Sequence, residues 1–372
     1  HNGNLTNASM LRKKLVNDGS IFQTTSDTET ILQLVARSKR VPMVDKIIDA
    51  LFQVQGAYAL VILTNKKLIG VRDPHGIRPL VLGDLNGAPV LASETCALDI
   101  IGAKYVRDVE NGEIVIISES GIESVKPFPV VKERPCIFER IYFSRPDSIV
   151  DGKTVYYYRK NLGEQLAIEN IVNADVVIPV PDSGVPAALG FAQKANIPFE
   201  LGIIRNHYVG RTFIEPTQNI RQFGVKLKHS ANKSYIENKK VVLIDDSIVR
   251  GTTARKIVKM IYDAGATEVH FGISCPPITH PDFYGIDTPD YDELLASKKS
   301  VEEMRESIGA TSLFFLSLNG TYKAMGHKER NATEPQFTDH CFTGDYPTQL
   351  LDMSKEQRVS NIHYLLKKTK FL

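Results

Sequence analysis

Several features that would narrow the function are missing from this sequence. No apolar run reaches the roughly 18 residues that a membrane helix needs, and we recognise no secretory signal pattern. The four cysteines, Cys96, Cys136, Cys275 and Cys341, are far apart and form no C-x-x-C pair. Such spacing favours a reducing compartment over a disulfide scaffold. We therefore expect a cytoplasmic protein with no membrane partner.

A strong excess of one charge is also missing. The formal net charge is +2, which argues against a protein built mainly to coat nucleic acid. The 42% hydrophobic and 24% charged residues are typical of a globular protein. At 372 residues the chain is long enough for two domains. The start at His1, within already patterned sequence, is what a fragment or processed product would show.

The first third of the chain has the pattern of an α+β domain. Short alternating apolar runs between residues 56 and 125 predict antiparallel strands with turns at Asn65-Lys66 and Glu119-Ser120-Gly121. Helices are expected near 5–16 and 27–38, the second opened by a capping box of Ser26 and Glu29. We place this domain at residues 1–132.

Beyond the proline-rich linker 126–136 the pattern changes to α/β. Continuous apolar strands alternate with helices, which predicts a parallel sheet covered on both faces over residues 133–372, with a helical C-terminal extension. The predicted strands are 174–180, 199–204, 240–244 and 268–274, and the predicted helices are 184–195 and 252–264.

Two adjacent carboxylates end one of these strands in the string VVLIDDSIVRGTT, residues 241–253. Ligands of open parallel sheets bind outside the carboxyl ends of the strands. Asp245 and Asp246 are therefore candidates to hold ribose hydroxyls or Mg²⁺. The following loop offers amides and hydroxyls at a helix N-terminus, where a phosphate is favoured; its candidate residues are Ser247, Arg250, Gly251, Thr252 and Thr253. The alternative is that Asp246 caps the helix and Asp245 pairs with a base.

No G-x-x-x-x-G-K-[ST] loop competes for the phosphate role. A second tight turn, Asp182-Ser183-Gly184, follows the first predicted strand of the α/β domain and suits a diphosphate, although PDSG can also be a plain turn. The basic segment 205–233 predicts a lid over an anionic substrate, with a solvated face or a nucleic-acid contact as alternatives.

Five strings together resemble the glutamine phosphoribosylpyrophosphate amidotransferase family. They are HNGNLTN (1–7), RDPHGIRPL (72–80), RPDS (145–148), RNHYVGRTFIEP (205–216) and DDSIVRGTT (245–253). The resemblance implies a partial N-terminal-nucleophile glutaminase domain followed by a type I phosphoribosyltransferase domain. It implies formation of 5-phosphoribosylamine from 5-phosphoribosyl diphosphate (PRPP) and glutamine-derived ammonia, the first committed step of purine biosynthesis.

The resemblance also assigns roles to single residues. Asn2 and Gly3 would form the glutaminase oxyanion hole, Asp27 would hold the glutamine amino group, and Tyr208 and Arg211 would belong to the lid. Asp182, Ser183 and Gly184 would bind the diphosphate, and Asp245, Asp246 and Gly184 would surround Mg²⁺. RDPHGIRPL is expected to be scaffold. The family further implies inhibition by purine nucleotides and a homo-oligomer, a dimer or a tetramer.

Two departures from the family pattern matter. The family nucleophile is an N-terminal cysteine, and His1 is not that residue. We therefore expect only the ammonia-dependent half-reaction from this chain. Some members carry an iron–sulfur cluster; here Cys136 and Cys341 lie near cluster positions, but Asp282 stands between them. Because a cubane needs four thiolates, no cluster is expected.

Two other functions fit parts of the pattern. A salvage phosphoribosyltransferase acting on a nucleobase would leave the N-terminal domain without a role. A non-catalytic nucleotide-binding regulator on the same fold would be expected to lose the acidic pair.

Overall fold

The computed structural model describes residues 1–206, 229–288 and 290–352. These residues form two compact units, one made of 1–137, 280–288 and 331–352 and the other of 138–206, 229–279 and 290–330. The predicted domain boundary at 132 and 133 stays a prediction; the two units are discontinuous in sequence. Within the described part of the chain, no helix is long and apolar enough to cross a membrane.

The first unit is built on antiparallel sheets, as its alternating pattern predicts. A five-stranded sheet runs in the order Asn2–Leu5, Gly56–Leu63, Leu68–Arg72, Ile114–Ser118 and Gly121–Val125. A three-stranded sheet has the order Ala88–Ala92, Val81–Leu85 and Lys104–Asp108. Both predicted turns close hairpins, since Leu63 pairs with Leu68 and Ser118 with Gly121.

Helices cover one face of the five-stranded sheet. Their bounds are Ala8–Asn17, Asp27–Arg37 and Met43–Leu51, and two further helices of this unit are Thr95–Ile101 and His340–Thr343. The core contains Leu11, Ile31, Ile47, Ile69 and Ile114, all buried, from three helices and two strands. Burying apolar surface between layers is the main stabilising term for such a unit.

One predicted local motif is wrong in part. Ser26 does cap the second helix, because its side chain accepts a hydrogen bond from the Thr28 amide at 3.3 Å. Glu29 does not complete a capping box. Its carboxylate accepts hydrogen bonds from the Gln23 and Thr24 amides, both at 2.7 Å, and so binds the preceding loop instead of the Ser26 amide.

RDPHGIRPL is a largely buried segment held by many hydrogen bonds, which supports its interpretation as scaffold. The Asp73 side chain is fully buried and accepts amide hydrogen bonds from Tyr58, His75 and Ile77. Arg72 donates to three backbone carbonyls. Buried polar groups of this kind are stable only when their hydrogen bonds are satisfied, and here the backbone satisfies them.

The second unit carries the predicted parallel sheet. Its strand order is Val176–Pro179, Lys240–Asp245, Glu268–Ile273 and Ser312–Phe315, all neighbours being parallel. The helices among the described residues of the unit are Val155–Glu169, Val185–Ala195, Thr252–Asp263, Leu295–Lys298, Val301–Ile308 and Leu318–Ala324. The same described part also contains a π-helix, Glu139–Phe143, and 3-10 turns at Lys233–Tyr235 and Tyr291–Glu293.

The predicted strand 199–204 is not a full member of this sheet. Phe199 makes an isolated parallel bridge with Val177, and the strand proper is Ile203–Arg205. That strand pairs antiparallel with His229–Ala231 in a separate two-stranded sheet. A second small hairpin joins Ile149–Val150 to Lys153–Thr154.

Candidate active site

The aspartate pair lies at the carboxyl end of a central parallel strand. Asp245 is the last residue of strand Lys240–Asp245, and its register partner on the next strand is Ile273. Asp246 follows directly and is 5% exposed. The apolar run before the pair forms a buried strand. Its residues Val241 to Ile244 are all fully buried between the layers of the unit.

The two carboxylates have no cationic partner among the ion pairs of the described residues. Asp245 accepts a hydrogen bond from the Asp246 amide at 2.9 Å, and Asp246 accepts one from the Ser247 hydroxyl at 2.5 Å. Burial, together with the neighbouring Asp246 carboxylate, raises the pKa of Asp245 well above its usual range. A site that brings two carboxylates together without a countercharge favours a bound cation.

Asp246 does not cap the helix that follows it, so this alternative is wrong. The helix after the pair begins at Thr252, and its N-cap is Gly251 with a left-handed φ of 74° and no side-chain cap. Asp246 lies outside that cap position. The loop Ser247–Gly251 therefore separates the carboxylates from the amides at the helix N-terminus, which leaves those amides available for an anion.

The predicted diphosphate loop lies against the same strand. Val180 donates its amide to the Ile244 carbonyl at 2.8 Å, and Pro179 is the register partner of Ile244. Gly184 caps helix Val185–Ala195, and a Cβ added to Gly184 would lie 2.4 Å from the Ile244 carbonyl oxygen. The structure thus brings the predicted diphosphate loop and the aspartate pair to one sheet edge, as the motif order predicts.

Each of these two loops carries one member of an arginine–carboxylate pair, Asp182 in the first loop and Arg250 in the second. Arg205 donates to the Asp182 carboxylate, and Arg250 donates to the Glu293 carboxylate. Arg205 was part of the predicted basic segment. Glu293 was missed, because it stands 43 residues from Arg250 and belongs to no recognisable motif. The predicted lid residues Tyr208 and Arg211 lie outside the described residues.

The predicted glutaminase residues occupy the first unit. Asn2 and Gly3 open the strand Asn2–Leu5, and Gly3 has a φ of 136° and lies so close to Ala57 that an added Cβ would be 2.1 Å from the Ala57 carbonyl oxygen. Only glycine fits that position without moving the neighbouring strand.

Asp27 lies beside the same strand and faces a cavity of about 480 Å³. Its carboxylate accepts the Leu5 amide at 2.9 Å and lies 3.5 Å from the His1 ring. Polar side chains at the cavity wall include Asn4, Arg12, Ser26 and Asp352. Arg12 is a residue that the sequence did not single out. The cavity wall therefore carries two carboxylates, Asp27 and Asp352, and one guanidinium, Arg12, so that charges of both signs are present for a zwitterion.

Cys136, Cys341 and Asp282 also belong to the first unit, and all four cysteines of the chain are buried and outside disulfides. The Asp282 carboxylate contacts His340 Nε2 at 2.9 Å, with both side chains almost completely buried. Burial acts to raise the pKa of Asp282, but the hydrogen bond and charge of His340, with Arg78, hold that pKa below its usual range.

Comparison with known proteins agrees with this geometry. A family profile described as a glutamine amidotransferase domain matches residues 1–99, and one described as a phosphoribosyl transferase domain matches residues 164–286. The curated amidophosphoribosyltransferase of Rhizobium etli is 59% identical over 371 residues, which cover 98% of this chain and 75% of that relative. That of Bacillus subtilis is 52% identical over 350 residues, 94% of this chain and 73% of the relative.

Solved structures give the same answer. Glutamine PRPP amidotransferase from B. subtilis complexed with ADP and GMP superposes with a TM-score of 0.89 at 50% identity, covering 96% of this chain and 78% of that chain. A structure described as the allosteric regulatory enzyme of purine biosynthesis has a TM-score of 0.89 at 51% identity, over 94% of this chain and 75% of that chain. The chain therefore belongs to the amidophosphoribosyltransferase family, the pentosyltransferases that transfer nitrogen to PRPP in purine biosynthesis.

Proposed function

We propose that the second unit binds PRPP between its two loops and catalyses displacement at ribose C1 by ammonia. The carrying observation is the carboxylate pair of half-buried Asp245 and buried Asp246 next to the Gly184 loop at one edge of the parallel sheet. Asp245 and Asp246 hold the ribose hydroxyls. Asp182, Ser183 and Gly184 receive the diphosphate, and Arg250 to Thr253 receive the 5-phosphate at the helix N-terminus.

In this reaction the nitrogen lone pair of ammonia forms a bond to C1 while the bond from C1 to the diphosphate oxygen breaks. The electron pair of the broken bond leaves with the diphosphate, and the new ammonium group loses one proton to give 5-phosphoribosylamine. Positive charge develops on the ribose ring as the bond breaks. Two nearby carboxylates would stabilise that charge, while the amides of the Gly184 loop would stabilise charge on the leaving group.

Mg²⁺ fits the residues present. The donors are two carboxylates without a cationic partner among the described residues, and oxygen is the ligand type that Mg²⁺ prefers. No group of three or more His, Cys, Asp or Glu side chains in the described ranges could hold a metal by itself. Mg²⁺ is commonly held by one or two carboxylates together with substrate phosphates. Asp245 and Asp246 would hold it near Gly184, and it would neutralise diphosphate charge when bound.

The first unit would supply the glutamine-binding groups. Asn2 and the Gly3 amide would donate to the oxyanion of a tetrahedral intermediate, and Asp27 would hold the α-amino group of glutamine in its cavity. Tyr208 and Arg211 would close over PRPP. The residues proposed for the second unit would carry the ammonia-dependent half-reaction.

The chain would use no iron–sulfur cluster. Two of the positions near family cluster ligands are Cys136 and Cys341, while the buried Asp282 carboxylate lies 2.9 Å from His340 Nε2. A cubane cluster takes four thiolates. Iron and acid-labile sulfide analysis of protein purified without oxygen should therefore give no stoichiometric cluster.

Purine nucleotides would act as inhibitors, and the chain would form a homo-oligomer, a dimer or a tetramer. The ADP and GMP in the B. subtilis structure support the first proposal. Exposed aromatic side chains on the second unit, Tyr142, Phe143 and Tyr157, support the second. Light scattering after gel filtration would give the subunit number.

A cytoplasmic location is supported by the four buried cysteines outside disulfides.

The experiment that tests the function measures diphosphate released from PRPP with Mg²⁺ and one nitrogen source at a time. Ammonium chloride should give steady release, whereas adenine, guanine or hypoxanthine should not. Release with a nucleobase would identify a salvage enzyme instead. PRPP binding without release in any mixture would identify a non-catalytic regulator.

A further inference from the structure

A short segment of the second unit, residues 290–299, lies against the loop proposed to hold the 5-phosphate. We call it the bracing segment. It consists of the 3-10 turn Tyr291–Glu293 and the helical turn Leu295–Lys298. Its fold is fixed locally: Asp290 caps the first turn through the Asp292 amide at 2.9 Å, and the Ser297 hydroxyl donates to the Tyr291 carbonyl at 2.7 Å.

We call residues 247–251 the phosphate loop. Three consecutive residues of this loop contact the bracing segment. The Leu295 amide donates to the Val249 carbonyl at 2.8 Å. Arg250 Nη2 donates to the Glu293 carboxylate. A Cβ added to Gly251 would lie 2.6 Å from Leu295 Cδ2, so the Leu295 side chain fills the space that only glycine leaves open. Backbone, charge and van der Waals contacts therefore fix the loop from one side.

The ion pair in this set is too exposed to be explained by fold stability. The Arg250 side chain is 50% exposed and the Glu293 side chain 41%. Pairs of that kind contribute little to fold stability. Their effect on side-chain orientation can be larger, because a long arginine side chain has several freely rotating bonds and an ion pair restricts them.

We propose that Glu293 is a positioning residue that holds Arg250 in the orientation needed for the 5-phosphate; the inference rests on the proposed function of this loop. A guanidinium carries five N–H donors in a planar fork, and one Nη2 contact leaves other donors free for an anion. Glu293 thus fixes the orientation of Arg250 and leaves the remaining N–H donors of Arg250 available to the phosphate. Its own charge is offset by Arg250, so it does not repel the phosphate as a lone carboxylate would.

The expected effect of Glu293→Gln is a loss of binding of about three- to five-fold, the equivalent of one partly exposed ion pair. The loss should appear in the dissociation constant for ribose 5-phosphate and in KM for PRPP, with kcat nearly unchanged, because ground state and transition state share the same 5-phosphate. Binding of Mg²⁺-diphosphate, which the Gly184 loop would hold, should stay the same.

The test is calorimetric titration of ribose 5-phosphate and, separately, of Mg²⁺-diphosphate into wild type, Glu293→Gln, Arg250→Gln and the double variant. Glu306→Gln is the matched control, since Glu306 is another exposed glutamate beside an arginine and, among the described ion pairs, pairs only with Arg305. Thermal unfolding of each variant checks the fold. In the Arg250→Gln background, Glu293→Gln should have no further effect on ribose 5-phosphate.

Three results would overturn the inference. Ribose 5-phosphate could bind Glu293→Gln as tightly as wild type, or the weakening could persist in the Arg250→Gln background, which would mean that Glu293 does not act through Arg250. Equal binding by wild type and Arg250→Gln would remove Arg250 from the site. Failure of the proposed function looks different, because wild type would then bind neither ribose 5-phosphate nor Mg²⁺-diphosphate.

Discussion

At the scale of single residues, the Arg205–Asp182 pair raises a charge problem. Asp182 lies in the loop proposed to receive an anionic diphosphate, and its side chain is 61% exposed. A carboxylate next to a diphosphate is repulsive unless a cation compensates it. Arg205 provides that compensation from strand Ile203–Arg205. The pair is therefore expected to matter more for substrate binding than for stability.

Arg205→Gln should raise KM for PRPP by about five-fold, corresponding to about 1 kcal/mol for one partly exposed charge. The uncompensated Asp182 carboxylate is the physical reason. Steady-state kinetics with ammonium as nitrogen donor give the measurement. The double variant Asp182→Asn/Arg205→Gln should recover most of the loss, and a double variant as impaired as Arg205→Gln alone would show that Asp182 repulsion is not the cause.

At the scale of secondary-structure elements, the contact between the Gly184 loop and strand Lys240–Asp245 joins the two halves of the site. The contact depends on a missing side chain, because a Cβ at Gly184 would lie 2.4 Å from the Ile244 carbonyl oxygen and 2.9 Å from that of Val180. Backbone atoms at this distance cannot give way by rotating a side chain.

Gly184→Ala should therefore push the loop away from the strand and lower the free energy of unfolding by about 1 to 3 kcal/mol, as overpacking does. KM for PRPP should rise in the same variant, measured with urea unfolding alongside kinetics. Gly326→Ala is a suitable control, since its added Cβ meets nothing within 4 Å and its cost comes from a left-handed φ of 93° alone. The free energy of unfolding of that control should fall by about 1 to 2 kcal/mol with KM unchanged. An unaltered KM in Gly184→Ala would contradict the account.

Elements with a local signal were predictable from sequence. Strand Lys240–Asp245, helix Thr252–Asp263 and strand Glu268–Ile273 end within a residue or two of their predicted bounds. Helix Val155–Glu169 was missed, because Arg159 on its buried face and the exposed Tyr157 and Ile168 on the other weaken its apolar periodicity. Strand Ile203–Arg205 finds its partner only at His229–Ala231, a pairing that no local pattern encodes.

The candidate site, too, was predictable where a local motif marks its residues and not elsewhere. Motif order placed Asp245, Asp246 and Gly184 at one sheet edge, because parallel strands bring their carboxyl ends together. Glu293 and Arg12 were not predictable, since each reaches its site through tertiary contacts with residues distant in sequence. The contribution of Glu29 was predicted with the wrong partner, because a carboxylate can satisfy loop amides as well as its own helix N-terminus.

At the scale of the whole chain, residues far apart in sequence share one compact unit. Arg78 donates a hydrogen bond to the Tyr284 carbonyl at 3.0 Å, and the backbone of Cys136 forms an isolated parallel β-bridge with that of Thr338. The Asp282 carboxylate and the His340 ring lie 2.9 Å apart in the same unit and are almost completely buried. Removing the Asp282 charge is expected to destabilise this unit, since the nearby His340 and Arg78 favour the ionised carboxylate there.

Asp282→Asn should lower the free energy of unfolding of this unit by about 1.5 to 3 kcal/mol near neutral pH, the range for hydrogen bonds to a charged group. Its amide oxygen can still accept the Tyr284 and Ile286 amides at 2.8 Å, so the change isolates the charge. Because the folded pKa of Asp282 lies below its usual range, its stabilising effect is present above about pH 4 and is lost as pH falls through the folded pKa.

Urea unfolding at several pH values checks this. Wild type should lose stability below about pH 4 more steeply than Asp282→Asn, while Asp287→Asn, at an exposed position of the same loop, should follow wild type. Parallel pH curves for wild type and Asp282→Asn would show that Asp282 carries no net stabilising charge interaction.

The central claim is that the carboxylate pair at the end of strand Lys240–Asp245 is the ribose and metal site of a PRPP-dependent enzyme. The most direct measurement is the rate of diphosphate release from PRPP with Mg²⁺ and ammonium for wild type, Asp245→Asn and Asp246→Asn. Asp263→Asn is the control, because Asp263 ends the following helix and pairs only with Lys259 at the surface among the described ion pairs. We predict a loss of about 100-fold or more in kcat/KM for both pair variants, with the melting temperature retained and Asp263→Asn unaffected. Rates within about three-fold of wild type for Asp245→Asn and Asp246→Asn would contradict the account.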